Sequence, residues 1–229
     1  SDVQVTNELD FNFDVNITRR EQTNPSQGIS RIITDIYRVP AVYTSRYNHG
    51  GWGPAFNLNN PIAYIHDGGL STGTTTNYRI RLGGTFEPKK GLTFSFIYSP
   101  AQMINLKKRM IKQYEITDKN GETAQMMPEK NGLSQEYSSI INHNVNAVSN
   151  YKVDTEKHQF SAMAGYEFIS SFINDFSASR TDFQIQDLEE LNAGSVSGQL
   201  NSGSASEWSL LSFFTRLNYG YQRKYLIEG

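Results

Sequence analysis

Residues 9–17 alternate without interruption. Leu9, Phe11, Phe13, Val15 and Ile17 share one face of an extended chain, and Asp10, Asn12, Asp14 and Asn16 share the other. A strand turns its side chain to the opposite face at every residue, so the segment is a ribbon with one apolar and one wet face. The pattern returns at Tyr78, Ile80, Leu82 and Phe86 against Arg79, Arg81, Thr85 and Glu87. Charge placement decides what the pattern means. Asp10, Asp14, Arg79, Arg81, Glu87, Glu167 and Arg216 all fall opposite the main apolar row. A wall between lipid and a water-filled lumen demands that arrangement, because a mid-membrane charge facing lipid costs about 2–4 kcal/mol.

Bulk properties narrow the partners. The chain has 229 residues, a net charge of -2 and no cysteine. Near-neutral charge without a basic stripe argues against a nucleic-acid partner. Without cysteine there is no disulfide, thiolate nucleophile or Cys-ligated zinc. No run of about 18 apolar residues occurs, and Ser1-Asp2-Val3-Gln4 does not resemble a signal peptide. Neither absence counts against a membrane barrel, whose strands carry their hydrophobicity at alternate positions.

The sequence predicts hairpins of unequal connection. A first strand ends near Val5, before a tight turn at Thr6-Asn7-Glu8 and a second strand over 9–19. Strands over 77–87 and 92–99 flank Pro88-Lys89-Lys90-Gly91, and strands near 135–151 and 158–168 flank 152–157. A last pair, 209–221 and 225 onward, turns at Gln222-Arg223-Lys224. Long connections over 20–76, 100–134 and 169–208 alternate with these short turns, as in outer-membrane barrels. Asp118-Lys119-Asn120-Gly121 predicts a hairpin within the middle one, and 194–206, rich in Gly and Ser, reads as mobile. Tyr98, Tyr137, Tyr151, Tyr166, Phe168, Tyr219, Tyr221 and Tyr225 lie near the expected strand ends, where an aromatic girdle would stand.

Catalytic and metal chemistry find no support. His49, His66, His143 and His158 lack metal-ligand spacing. Asp118-x-Asn120-Gly121 lacks the twelfth-position glutamate of a calcium loop, and Gly194-Ser195-Val196-Ser197-Gly198 is not a nucleophile elbow. No enzyme activity, catalytic residue, metal or cofactor is expected. The first long loop offers the binding candidates. Tyr43, Tyr47, Trp52, Phe56 and Tyr64 interleave with Arg46, Asn48, Asn57, Asn59, His66 and Asp67. Aromatic faces with amide and charged hydrogen-bonders suit a flexible polar polymer, and the same residues equally suit a loop packed on itself.

Near the C-terminus stands Leu211-Ser212-Phe213-Phe214-Thr215-Arg216-Leu217-Asn218-Tyr219-Gly220-Tyr221-Gln222-Arg223-Lys224-Tyr225-Leu226. With Phe160-Ser161-Ala162-Met163-Ala164-Gly165-Tyr166-Glu167, Arg38-Val39-Pro40-Ala41-Val42-Tyr43 and Asn60-Pro61-Ile62-Ala63, it resembles the SusC/RagA group of TonB-linked outer-membrane transporters. Thr215 departs from that pattern, which often has Gly there. The resemblance implies an all-β fold: an antiparallel transmembrane β-barrel with long extracellular loops, of which residues 1–229 supply about seven or eight strands of about 22. Plug, N-terminal extension and remaining strands have no counterpart, so the chain reads as part of the barrel and needs the rest of that barrel as a partner. It further implies active import across a bacterial outer membrane, in contact with outer-membrane lipid, with a SusD-like surface lipoprotein and the TonB–ExbB–ExbD complex engaging the missing N-terminal region. The cargo would be oligosaccharide or oligopeptide. A passive porin and a surface adhesin built on a β-barrel are the alternatives.

Overall fold

The computed structural model describes residues 2–229. One antiparallel sheet dominates it. The strands are β1 (Asp2–Gln4), β2 (Leu9–Pro25), β3 (Leu70–Lys89), β4 (Leu92–Tyr98), β5 (Ala101–Ile111), β6 (Tyr114–Thr117), β7 (Thr123–Met127), β8 (Gly132–Asp154), β9 (His158–Thr181), β10 (Leu200–Tyr221) and β11 (Tyr225–Glu228). The large sheet runs β1-β2-β3-β4-β8-β9-β10-β11, with β5 beyond β4 between the same neighbours, and β6-β7 forms a separate hairpin. The large sheet thus has eight strand positions, an arc of wall within the expected seven or eight.

β4 and β5 are one strand interrupted by proline. The register against β3 and β8 continues unchanged from Tyr98 to Ala101. Ser99 exchanges both ladder bonds with Asn144, and Ile80 N–H donates to the Pro100 carbonyl at 3.0 Å. Proline has no N–H to return that bond, so a single rung is missing and the strand carries on. The expected loop over 100–134 therefore shrinks to 112–131. The other long connections shorten too, to 26–69 and 182–199, because β2, β3, β9 and β10 all run further than expected toward their loops. Residues 200–206 of the Gly/Ser-rich segment pair in register with β9. The hairpin within the middle connection forms as expected.

Register carries the apolar row across the wall. Phe13 stands beside Leu82, Leu82 beside Tyr98, Tyr98 beside Val145, Val145 beside Phe168, and Phe168 beside Leu211. On the opposite face Asp14 stands beside Arg81, and Glu167 between Asn146 and Ser212. The apolar face is open to its surroundings: Phe11 is 50% exposed, Phe96 50% and Phe213 76%. A continuous open apolar face of this size is intolerable in water and suits lipid or a protein partner.

All four short turns lie at one end of the sheet and the three long connections at the other. The β3–β4 turn needs Gly91, whose φ of 86° belongs to the left-handed region. In the β10–β11 turn Gln222 and Arg223 take φ values of 51° and 58°, and Gln222 N–H ties the turn to Lys157 O at 2.7 Å. Tyr151, Tyr219, Tyr221 and Tyr225 gather near these turns, with the His158 ring nitrogen 2.8 Å from the Tyr219 hydroxyl. Tyr98, Tyr137, Tyr166 and Phe168 instead lie within the sheet, since their strands extend well past them. Gly165 leaves room for its cross-strand partner Phe214, whose ring lies where a β-carbon would stand.

Candidate functional site

The three long connections meet over the loop end of the sheet. The first contains α1 (Ile29–Arg38) and α2 (Pro61–His66). Its core joins Ile32, Trp52, Ala63 and Tyr64 to Tyr114 and Ile116 of the β6–β7 hairpin. The hairpin is therefore a wall of the first loop's core as well as a feature of its own connection. Thr117 N–H donates to Trp52 O at 2.8 Å across that contact. The third connection folds back on the sheet, seating Phe183 against Met110 and Leu133. Asn131 closes this contact, accepting from Phe183 N–H at 2.7 Å and donating to Phe183 O at 2.8 Å.

Asn60 organises the first loop. Its side chain is fully buried; Oδ1 caps α2 by accepting from Ile62 and Ala63 N–H, while Nδ2 donates to Ser45 O and Gly53 O at 2.6 and 2.9 Å. Pro61 follows at the first helical position, where its missing N–H costs nothing. Asp35, also buried, receives Arg31 Nε at 2.6 Å, and this pairing holds the Arg31 guanidinium pKa above its ordinary value. Burial, reinforced by Asp35, pushes the Tyr64 hydroxyl pKa up, and burial pushes that of Tyr114 further. Both tyrosines stay neutral, and their rings pack edge to face at 5.8 Å.

The sequence-derived candidates divide into two sets. Trp52 and Tyr64 are buried in the loop core. Trp52 Nε1 donates to Asp67 at 2.5 Å, its ring stacks on His66 at 5.6 Å, and the Arg46 guanidinium lies 4.9 Å from the ring centre. Tyr64 donates its hydroxyl to Asn59 Oδ1 at 2.7 Å, and Arg31 donates to the same oxygen at 3.1 Å. Tyr43, Phe56 and Asn57 form an open surface set, with Tyr43 and Phe56 edge to face at 5.8 Å and Asn57 at a left-handed φ of 50°. Tyr47, half-buried, stacks on His49 at 5.2 Å.

His66 and Asp67 reach a polar cleft of about 650 Å³ among the three connections, faced by Lys112 and Gln113 of the second and by Gln186 and Asp187 of the third. Lys112 pairs with Asp187 at 2.7 Å, and its hydrogen bond and charge hold the Asp187 carboxyl below the ordinary range. Sequence reading missed this half of the cleft and also α1. That helix turns Ile29, Ile33, Ile36 and Tyr37 outward, all exposed. The spacing of these four residues marks one helix face and could have revealed it.

No protein-family profile matches the chain, and no curated protein matches it. Solved structures do. The chain superposes on the RagAB peptide transporter with a TM-score of 0.69 at 16% identity, covering 99% of this chain and 26% of that one. The RagAB peptide importer in its open-open and closed-closed states gives TM-scores of 0.69 and 0.67 with the same identity and coverage. At this identity the likeness establishes the fold alone: the chain is an antiparallel all-β sheet folded like part of those structures, and it spans about a quarter of the matched chains.

Proposed function

We infer that this chain is a section of the barrel wall of an outer-membrane active importer, with its loops forming part of the mouth. The observation that carries the reading is the two-faced sheet itself, with the apolar row Phe13, Leu82, Tyr98, Val145, Phe168 and Leu211 on one side and Asp14, Arg81 and Glu167 on the other, in a sheet that superposes on RagAB over 99% of this chain. The apolar row of β2 from Leu9 to Ile17 spans about 30 Å of strand, and a tilt near 40° reduces this to about 23 Å of height, close to a barrel's apolar band of about 25 Å. The short turns then face the periplasm and the loop crown faces outward. Oligopeptides or oligosaccharides are the cargo class, peptides being favoured by the likeness to RagAB. A SusD-like lipoprotein covers the mouth, and the exposed stripe of α1 supports a protein cover there. TonB–ExbB–ExbD supplies the driving force through a part of the protein outside this chain. Tyr43, Phe56, Asn57 and His66 serve as cargo contacts at the rim, while Tyr47, Trp52, Asn59, Tyr64 and Asp67 shape the loop that presents them.

The test is uptake of a labelled peptide pool by cells carrying or lacking the full-length protein. Uptake that requires both the protein and TonB supports the reading. Uptake that persists without TonB makes the protein a passive porin, and no uptake with surface adhesion instead makes it an adhesin.

A further inference from the structure

On the polar face, in the part of the sheet nearer the loops, two successive ladder rows line a concavity of about 540 Å³. One row is Lys107, Glu136, Ser177 and Ser202, and the next is Asn105, Ser138, Asp175 and Ser204, each running across β5, β8, β9 and β10. Eight polar side chains side by side on one face exceed what alternation requires, because the following row on that face is Met103, Ile140, Ile173 and Ser206. The patch is a bounded polar recess with a mostly apolar sill.

Its charges do not cancel. Lys107 and Glu136 pair at 3.4 Å. The hydroxyls of Ser177 and Ser202 bond each other at 2.8 Å, and Asn105 accepts from Thr75 at 2.8 Å. Asp175 has no ion-pair partner among the described residues, and it stands between the hydroxyls of Ser138 and Ser204. Arg20, the cation in its own row, is four strands away, about 19 Å at about 4.8 Å per strand, beyond a screening length of about 8 Å. One carboxylate flanked by hydroxyl acceptors matches an ammonium group, which offers three donors and one positive charge.

We propose that Asp175, with Ser138 and Ser204, is a subsite for a protonated amino group of an oligopeptide, its N-terminal amine or a lysine side chain, on the way from the mouth into the lumen. This rests on the importer reading and adds a charge preference to it. Lys107 does not oppose the cation, because Glu136 is interposed and already neutralises it.

The experiment uses the full-length importer in detergent and three fluorescent probes: a lysine-bearing oligopeptide, the same peptide with every amine acetylated, and a chitosan oligomer. The free-amine peptide binds about tenfold more tightly than its acetylated twin, and Asp175→Asn removes that difference while leaving the acetylated peptide's affinity unchanged. Asp175→Glu retains it. The proposal is overturned if wild type binds both peptides equally, if Asp175→Asn discriminates as well as wild type, or if only the chitosan oligomer shows the Asp175 dependence. Equal binding of both peptides with TonB-driven uptake intact removes the subsite and leaves the importer standing. Absence of all peptide binding and uptake removes both.

Discussion

Asn60 shows how much of the mouth depends on one amide. Its four hydrogen bonds join the start of α2 to the carbonyls of Ser45, which also accepts from Gly53 N–H, and of Gly53, whose donor among the described hydrogen bonds is Asn60. Asn60→Ala therefore costs about 2–4 kcal/mol locally, from the Gly53 carbonyl left without its donor and a lost cap. Hydrogen exchange at the Ile62 and Ala63 amides accelerates accordingly, while the β8–β9 ladder is unchanged. Asp118 plays a comparable part at the hairpin tip, accepting from Asn120 and Glu122 N–H at 2.8 and 2.9 Å. Backbone donation, from Glu122 first, holds its carboxyl below the ordinary range. A depressed folded value means that the carboxylate supports the turn in full above the unfolded value of about 3.9 and ceases to as pH falls through the lower folded one. Amide exchange at Glu122 then rises only in that acid range, and in Asp118→Asn it loses this pH dependence.

At the scale of the strands, alternation is what the barrel-wall reading requires, because lipid on one face excludes charge there. Phe96 and Asn146 belong to neighbouring strands and opposite faces. Phe96→Lys destabilises the reconstituted full-length barrel by about 2–4 kcal/mol in denaturant titration, whereas Asn146→Lys, beside Glu167, changes it by under about 1 kcal/mol. The same rule explains which parts of the fold were legible in the sequence. Strand identity and order followed from alternation, and the loop hairpin followed from Asp118-Lys119-Asn120-Gly121. Strand ends did not, because beyond the lipid neither face need be apolar and segments such as Leu200–Ser206 lose the pattern while keeping the ladder. Pro100 read as a strand terminator although its neighbours replaced all but one rung. Within the loop, an alternating set of aromatics and amides gave no indication that Trp52 and Tyr64 turn inward while Tyr43 and Phe56 stay out. That depends on Tyr114 and Ile116, which arrive from about fifty residues further along the chain.

For the molecule as a whole, the placement of the two ends is open to direct labelling. This chain has no cysteine, so once any cysteine elsewhere in the full-length protein is replaced, single substitutions report without background. In the full-length protein Lys119→Cys reacts with a membrane-impermeant maleimide on intact cells, and Glu156→Cys reacts only after the outer membrane is opened. The reverse result would invert the orientation. The length of the strands has a consequence of its own. β9 has 24 residues, about 80 Å of chain and about 60 Å of height at a 40° tilt, of which lipid accounts for about 25 Å. In the importer reading the remaining 35 Å or so is a hydrogen-bonded palisade standing beyond the lipid, which carries the loop crown away from the bilayer.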